Sequence, residues 1–255
     1  MDKINFKGIE MYNFKIFAFL FSAIILLSGC ANKQPNVPME KTFWSQKEER
    51  IGIGMNRAPT PGYYKVGAQG LLDMAINSAV TSELGEAVKS WNSPDIAMLA
   101  NEIKEDLEDK GYHNVSIISQ SLKHDDFKPF DGYKEGYSDI DLSPLKSRYN
   151  IDKLVLLTIG SSGISRSYYG FIPTSDPAVF VNYGGSVIDL DDNRYIYFKH
   201  GVSHQAIEGE WDQPPEFSNL KAAYNSAVEK ALNQLALPYR VSENALSQSE
   251  SLSLQ

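Results

Sequence analysis

The segment Lys153-Leu-Val-Leu-Leu-Thr-Ile159 is the most continuous apolar run outside the N-terminal region, and it decides the fold. A short apolar run of this kind favours a strand that is buried on both faces. Two further strands, Val179–Leu190 and Arg194–Ser203, predict a hairpin across the turn residues Asp191-Asp192-Asn193. Antiparallel strands late in the chain therefore form the predicted centre of a sheet.

Shorter elements surround this centre. Ile51–Met55 and Asn114–Ser119 predict short strands, and Ile164–Tyr169 predicts a continuation of the central run. Gly160–Gly163, made of glycine and serine, predicts a bend between the two halves of that run. Ser143–Tyr149, which begins with Ser-Pro, predicts a short helix.

Three longer helices are predicted from the spacing of their apolar residues. The first covers residues 66–91, and the second lies between Ser93, a predicted N-cap, and Gly111, a predicted left-handed stop. The third covers residues 217–236, because Pro238 is expected to end it. Helices covering a mixed, mainly antiparallel sheet give an α+β fold, a two-layer sandwich.

The composition is that of a globular protein, with 42% apolar and 22% charged residues among 255. The formal net charge of −8 disfavours nucleic acid as a partner, because an acidic surface repels phosphates. Cys30 is the single cysteine, so no internal disulfide can form and the core must carry the stability alone.

An apolar segment near the N-terminus predicts export. Ile16–Leu27 carries no charge, follows Lys15, and is too short to span a bilayer, which takes roughly 20 residues. The segment is therefore typical of a secretory signal peptide. The true start, Met1 or Met11, stays open.

The residues Leu27-Ser28-Gly29-Cys30 at the end of this segment resemble the lipobox of bacterial lipoproteins. The resemblance implies cleavage before Cys30, diacylglycerol on its thiol and a further acyl chain such as palmitate on its amine. Several acyl chains together hold a protein stably at a lipid bilayer. Ala31 resembles the outer-membrane sorting class, which implies the periplasmic face of the outer membrane, or the cell membrane where the host has only one.

The sequence thus predicts four parts, which are a signal peptide over residues 1–29, a lipidated tether over 30–50, a periplasmic α+β domain over 51–238 and a disordered tail over 239–255. Phe43 and Trp44, within the tether, are expected to contact the domain. Membrane attachment is assigned to the lipid rather than to a basic surface, because the chain is acidic.

The order of elements resembles a group of periplasmic lipoproteins with a TolB-N-terminal-like sandwich. The group includes the curli secretion channel lipoprotein, the lipoprotein activator of a peptidoglycan synthase and small exopolysaccharide-export lipoproteins. Besides the lipobox, the resemblance lies in Tyr149–Leu157, in Gly185–Leu190 with Tyr195–Phe198, and in the final helix from Leu220. It implies binding and assembly without catalysis or cofactor. A curli-type pore is disfavoured, because residues 66–142 contain no pair of long alternating strands.

The sequence contains no complete catalytic motif. Gly52-Ile53-Gly54 lacks the third glycine of a dinucleotide fingerprint, since Arg57 occupies that position. Ser143-Pro-Leu-Lys146 lacks the companion motifs of serine acyl enzymes. The prediction is therefore that the protein is not an enzyme.

No metal site is predicted either. Asp189, Asp191 and Asn193 alternate as in a calcium loop, but turn chemistry explains them. His200 and His204 would lie roughly 13 Å apart along one strand, which is too far to share one metal.

The preferred hypothesis is a non-enzymatic, membrane-tethered module that assembles or regulates a cell-envelope complex. Its partner surface is expected in residues 160–185 or on the acidic face of the second helix. The aromatic residues expected to contact an envelope protein, or a second copy in a homo-oligomer, are Tyr168, Tyr169, Phe171, Phe180 and Tyr183.

The alternative hypothesis is an envelope hydrolase, or a lipoprotein that binds a small ligand or glycan. Its site would be built from scattered residues such as Asp125, Asp126, His200 and His204. A deep polar pocket uniting these residues would favour this alternative, and their dispersal over open surface would remove it.

Overall fold

We describe the protein from a computed structural model, which covers residues 34–67 and 82–240. The chain divides into two units, Met1–Gln34 and Pro35–Gln255, and every element described below belongs to the second. The predictions for the signal segment, for Cys30 and for the last fifteen residues lie outside the described residues.

One seven-stranded mixed sheet organises the domain. Its strands are β1 (Ile51–Asn56), β2 (Gly62–Val66), β3 (Val115–Ser121), β4 (Lys153–Tyr169), β5 (Ile172–Pro173), β6 (Ala178–Asp189) and β7 (Tyr195–Gln205). The helices are α1 (Ser82–Lys89), α2 (Ile96–Asp109), α3 (Pro144–Tyr149) and α4 (Ser218–Arg240), with 3₁₀ turns at Lys41–Ser45 and His124–Asp126. The main strand order is β3-β1-β4-β6-β7, which confirms the predicted α+β sandwich.

The long strand β4 is the centre of the sheet. Its first half pairs in parallel with β1, from Lys153 to Thr158, and its second half pairs in parallel with β2, from Gly163 to Ser167. On its other side β4 pairs with β6 in antiparallel fashion, with a register shift between Ile159 and Ser162. The predicted bend is thus a bulge within one continuous strand.

The main core lies on the face of the sheet that α2 and α4 cover. Alternate residues of the strands point into it, as the two-residue repeat of a strand requires. Members of this core from the strands and from α4 are Ile53, Val155, Leu157, Val187, Leu220, Ala227, Ala231 and Leu235. Fully burying each large aliphatic side chain contributes about 1.5–3 kcal/mol before chain entropy is subtracted.

The opposite face of the sheet is covered over part of its length by residues 123–142, which we call the cap, and by α3. A second apolar cluster lies beneath them, made of Ile118, Leu122, Ile140, Leu142, Leu145, Ile151, Leu154, Ile188 and Leu190. The polar residues between β3 and α3 therefore form a folded cover. Within the described ranges, no helix combines the length and apolar character needed to cross a membrane.

Two predicted helix ends are wrong. Asp95 rather than Ser93 caps α2, because the Asp95 carboxylate accepts the Met98 N–H at 3.1 Å, whereas the Ser93 hydroxyl donates to the Pro59 carbonyl. Helix α4 continues through Pro238 to Arg240. A proline so near a helix end removes few backbone hydrogen bonds, and the buried Tyr239 adds core packing to the last turn.

The start of the first predicted helix is also wrong. Residues 62–66 form β2, and Gly67 has φ 123°, outside the helical region. Residues 68–81 lie outside the described ranges, and α1 confirms the helical prediction over Ser82–Lys89.

Residues 36–46, which we call the strap, lie against the domain. Val37 and Phe198 exchange backbone hydrogen bonds of 2.7 and 2.9 Å at the edge of β7. Phe43 is only 1% exposed and stacks on Tyr112 at 5.4 Å, which confirms its predicted contact with the domain. The strap therefore lies on the domain, because the apolar side chain of Phe43 gains more by burial than the chain loses by ordering.

Candidate functional site

An exposed aromatic hairpin lies at the far end of β4. Tyr169 is 75% exposed, and Phe171 and Ile172 are each 55% exposed. Gly170, at φ 61°, allows the tight turn that links β4 to β5, and Tyr169 pairs with Ile172 across it. Because large apolar side chains rarely cluster on a free surface, this hairpin is a candidate interaction site.

The five aromatic residues predicted as one surface are divided between three places. Only Tyr169 and Phe171 lie exposed in the hairpin. Tyr168 is buried, its hydroxyl 2.7 Å from that of Tyr63, and Tyr183 packs against the main core. Phe180 lies on the face that carries the cap, with its ring 5.2 Å from that of Tyr64.

The Tyr63–Tyr168 contact fixes the base of the hairpin. Burial first, and then the hydrogen bond with Tyr168, raises the pKa of Tyr63 above its usual range. The Tyr63 hydroxyl therefore stays protonated at physiological pH, and it shares a hydrogen bond with the Tyr168 hydroxyl. The buried pair links β2 to β4 and holds the exposed turn in place.

The exposed apolar surface extends beyond the hairpin. By strand alternation, Tyr64, Val66 and Val202 lie on the same face of the sheet as Tyr169, and all three are exposed. Together with Phe171 and Ile172, these residues form one exposed apolar surface.

The acidic face of α2, the other predicted partner surface, is less available, because Arg240 of α4 reaches Glu102 at 2.5 Å and Asp106 at 3.8 Å.

A second candidate site is a cavity of about 260 Å³ between the cap and the sheet. Most of its lining is apolar, with large side chains contributed by Leu122, Phe127, Ile140, Leu156, Ile188 and Phe198. The floor is deep because β6 carries glycine at position 184, where a side chain would otherwise project. The sequence reasoning missed this cavity.

Polar groups occur at the rim of the cavity. The His124 Nε2 lies 3.1 Å from the Asp139 Oδ2, and its Nδ1 lies 3.6 Å from the Asp125 carboxylate. The hydrogen bond with Asp139 is the largest cause that raises the pKa of His124. This pair joins the two ends of the cap across the cavity.

The pairing of His124 with Asp139 predicts a pH effect on the cap. Because the folded pKa of His124 is raised, its stabilisation is fully present below the unfolded value of about 6.5 and is lost as the pH rises through the folded value. We expect Asp139→Asn to lower the pKa of His124 towards 6.5, measured by NMR titration. The stability difference between the wild type and Asp139→Asn should shrink from pH 5.5 to pH 8, within the roughly 0.2–1 kcal/mol of an exposed pair. An unchanged pKa of His124 would contradict the pairing.

Asn193 anchors the cap to the hairpin of β6 and β7. Asn193 is buried, and its backbone has the left-handed conformation, with φ 62°, which asparagine tolerates. Its side-chain oxygen accepts the Leu142 N–H at 3.1 Å, its amide donates to Asp141 at 3.2 Å, and its carbonyl accepts the Ser138 N–H at 2.9 Å. The predicted turn chemistry is therefore confirmed, with the added role of fixing the cap.

The residues of the alternative hypothesis are not brought together in a pocket. Asp125, Asp126, His200 and His204 are all exposed, and none of them lines the cavity under the cap. His204 lies 3.1 Å from the Val179 carbonyl on its own sheet. Among the described residues, no group of three histidine, cysteine or acidic side chains is placed to bind a metal.

Comparison with known proteins gives remote structural likenesses. No family model and no curated protein matches the sequence. A DUF330 protein of Xanthomonas campestris is 13% identical, with a TM-score of 0.36, over 86% of this chain and 97% of that one. A PelC dodecamer from Paraburkholderia phytofirmans is 9% identical, with a TM-score of 0.30, over 83% of this chain and 96% of that one. The lipoprotein GNA1162 of Neisseria meningitidis is 14% identical, with a TM-score of 0.26, over 72% of this chain and 99% of that one.

Proposed function

We propose that this chain is a lipid-anchored lipoprotein of the bacterial envelope, at the periplasmic face of the outer membrane, whose domain assembles or regulates an envelope complex. The domain acts by binding rather than by catalysis. The lipobox-like residues Leu27–Cys30 support the anchor, and the exposed aromatic hairpin supports the binding role.

The observation that carries the binding role is the exposure of Tyr169, Phe171 and Ile172 together at one turn. Aromatic side chains at the centre of an interface provide much of its binding energy. The buried Tyr63–Tyr168 pair holds the turn at its base, so little ordering is required when a partner binds. The partner is an envelope protein or a second copy of this chain.

The test is the double substitution Tyr169→Ser and Phe171→Ser, followed by crosslinking in cells and mass spectrometry. Because both side chains are exposed, the folded state should lose no more than about 0.5 kcal/mol. Crosslinks to the partner should fall by about tenfold or more, as expected when interface aromatics are removed.

Tyr133→Ser is the matched control, because Tyr133 is an exposed aromatic residue of the cap, away from the hairpin. It should leave the crosslinked products as they are in the wild type. A product of twice the mass of the chain would identify a second copy as the partner. The same products in equal yield from the double variant would refute the surface.

A further inference from the structure

The cavity under the cap is apolar although it opens to solvent. Its large lining side chains come from β4, β6 and β7 below, from Leu122 just after β3, and from the cap above. Water in such a cleft finds few hydrogen-bonding partners, so an apolar group that displaces it gains affinity. Each methylene buried strengthens binding by about fourfold.

The rim of the cavity disfavours a charged ligand. The imidazole of His124 and the carboxylate of Asp139, both in the lining, already bind each other at 3.1 Å. The Ser138 hydroxyl oxygen, also in the lining, accepts the Ile140 N–H at 3.3 Å. Because most of the lining surface is apolar, apolar contact dominates binding inside, which favours a hydrocarbon group.

The size of the cavity fits part of a single alkyl chain. A volume of about 260 Å³ accommodates roughly eight groups of methylene size, at about 30 Å³ each. A segment of one alkyl chain, entering from the open side, fits this volume.

The cavity lies close to the strap, and this indicates where its ligand comes from. Phe198, which lines the cavity, is hydrogen-bonded through its backbone to Val37 of the strap. Val37 is the seventh residue after Cys30, and an extended chain of seven residue steps spans at most about 25 Å. A bilayer holding the lipid of Cys30 is therefore within reach of the cavity.

We propose that the cavity binds one acyl chain, supplied by a phospholipid of the bilayer or by the lipid on Cys30. The supply of the ligand rests on the anchor of the proposed function, whereas the binding itself rests on the cavity. An occupied cavity places hydrocarbon beneath the cap, so the cap becomes the part of the domain that responds to lipid.

Gly184 provides a variant that fills the cavity from its floor. A Cβ at this position would meet only the Lys199 carbonyl at 3.9 Å and the Thr158 Cβ at 4.0 Å, which are ordinary contacts. Gly184→Leu should therefore fold and occupy the space of the ligand. Gly160→Leu is the matched control, because its Cβ would meet Asn182 at 3.5 Å on the same sheet, outside the cavity lining.

The experiment labels cells with a fatty acid that carries a diazirine, which enters both phospholipids and the lipid of a lipoprotein. After illumination, the full chain is purified and the labelled peptides are identified by mass spectrometry. We expect label on the lining residues of β4, β6 and β7. The mass of the adduct distinguishes a phospholipid from a link to the peptide that contains residue 30.

Gly184→Leu should lower the label on the lining residues by about fivefold or more, because several methylenes lose their burial. Gly160→Leu should leave it unchanged. Melting curves check that both variants fold, and Thr158→Leu, which fills the cavity from β4, replaces Gly184→Leu if that variant does not. Equal labelling in the filled variant, or no label on the lining residues, would overturn the proposal. Label in the cavity with none on Cys30 would refute the anchor alone.

Discussion

Gly163→Ala is expected to lower the free energy of unfolding by about 3 kcal/mol or more. Gly163 has φ 131°, a conformation that costs other residues about 1–3 kcal/mol. A Cβ there would also lie 2.1 Å from the Gly62 carbonyl oxygen, so β2 would have to move away from β4. Overpacking of that kind costs a further 1–3 kcal/mol or so. Urea unfolding measures the total loss in the free energy of unfolding.

Gly160→Ala, three residues earlier in the same strand, is the control. Its Cβ would make only an ordinary contact with Asn182, and its φ is not positive. The free energy of unfolding of Gly160→Ala should therefore equal that of the wild type or rise by a few tenths of a kcal/mol. Because β2 carries Tyr63, Gly163→Ala should also loosen the aromatic hairpin and expose Tyr168 to hydrogen exchange. Equal stability of the two variants would contradict the close approach of β2.

Lys153→Met is expected to destabilise the protein by about 3 kcal/mol, since removing one partner of a buried ion pair costs about 3–5 kcal/mol. The Lys153 side chain is 5% exposed, and its ammonium lies 2.8 Å from Glu49 and 3.3 Å from Asp189. Methionine keeps the stem but leaves two carboxylates facing each other without a cation. The lower end of the range applies because both carboxylates retain some contact with water.

Lys146→Met is the matched control for this substitution. Lys146 also contacts two carboxylates, Asp191 at 2.5 Å and Asp152 at 3.6 Å, but at the surface. Exposed ion pairs contribute little, so its stability should change far less than that of Lys153→Met. Denaturant unfolding at constant salt compares the two. Similar losses would mean that burial does not govern the energetics of Lys153.

The centre of the sheet could be predicted because its pattern is local. Lys153–Ile159 is apolar apart from Lys153 and Thr158, and β4 covers it. The predicted hairpin of Val179–Leu190 with Arg194–Ser203 agrees with β6 and β7 to within two residues. The apolar pattern of each of these segments is strong enough to identify it as a strand without knowledge of its partners.

Elements fixed by distant partners could not be predicted. The strand β2, with the sequence Gly-Tyr-Tyr-Lys-Val, has no apolar alternation, and it forms because Gly62–Val66 pairs with Gly163–Ser167 about a hundred residues away. Asp95 rather than Ser93 caps α2, because the Ser93 hydroxyl donates a hydrogen bond to the Pro59 carbonyl. In each case a tertiary contact outweighed a local preference.

The residues that line the cavity could not be predicted from the sequence for the same reason. Leu156, Gly184 and Phe198 are remote in sequence, and only the register of β4, β6 and β7 brings them onto one face. The aromatic residues near the hairpin were identified by composition, but Tyr168 and Tyr169 point to opposite faces, as adjacent strand residues must. A bulge between Ile159 and Ser162 decides which of them is exposed.

The strap determines where tension on the preceding chain would enter the domain. Tension on the preceding chain acts on the two hydrogen bonds between Val37 and Phe198 before it reaches Phe43. These bonds lie at a sheet edge, so they are opened one after another, as in peeling, rather than sheared together. The hydrogen bond from the Glu40 N–H to the Ile196 carbonyl, 3.1 Å long, is the next point of resistance, and the buried Phe43 follows it. Tension would therefore detach the strap and lengthen the chain before it disturbs β1. The edge of β7 would give way first, and the rest of the fold would stay intact.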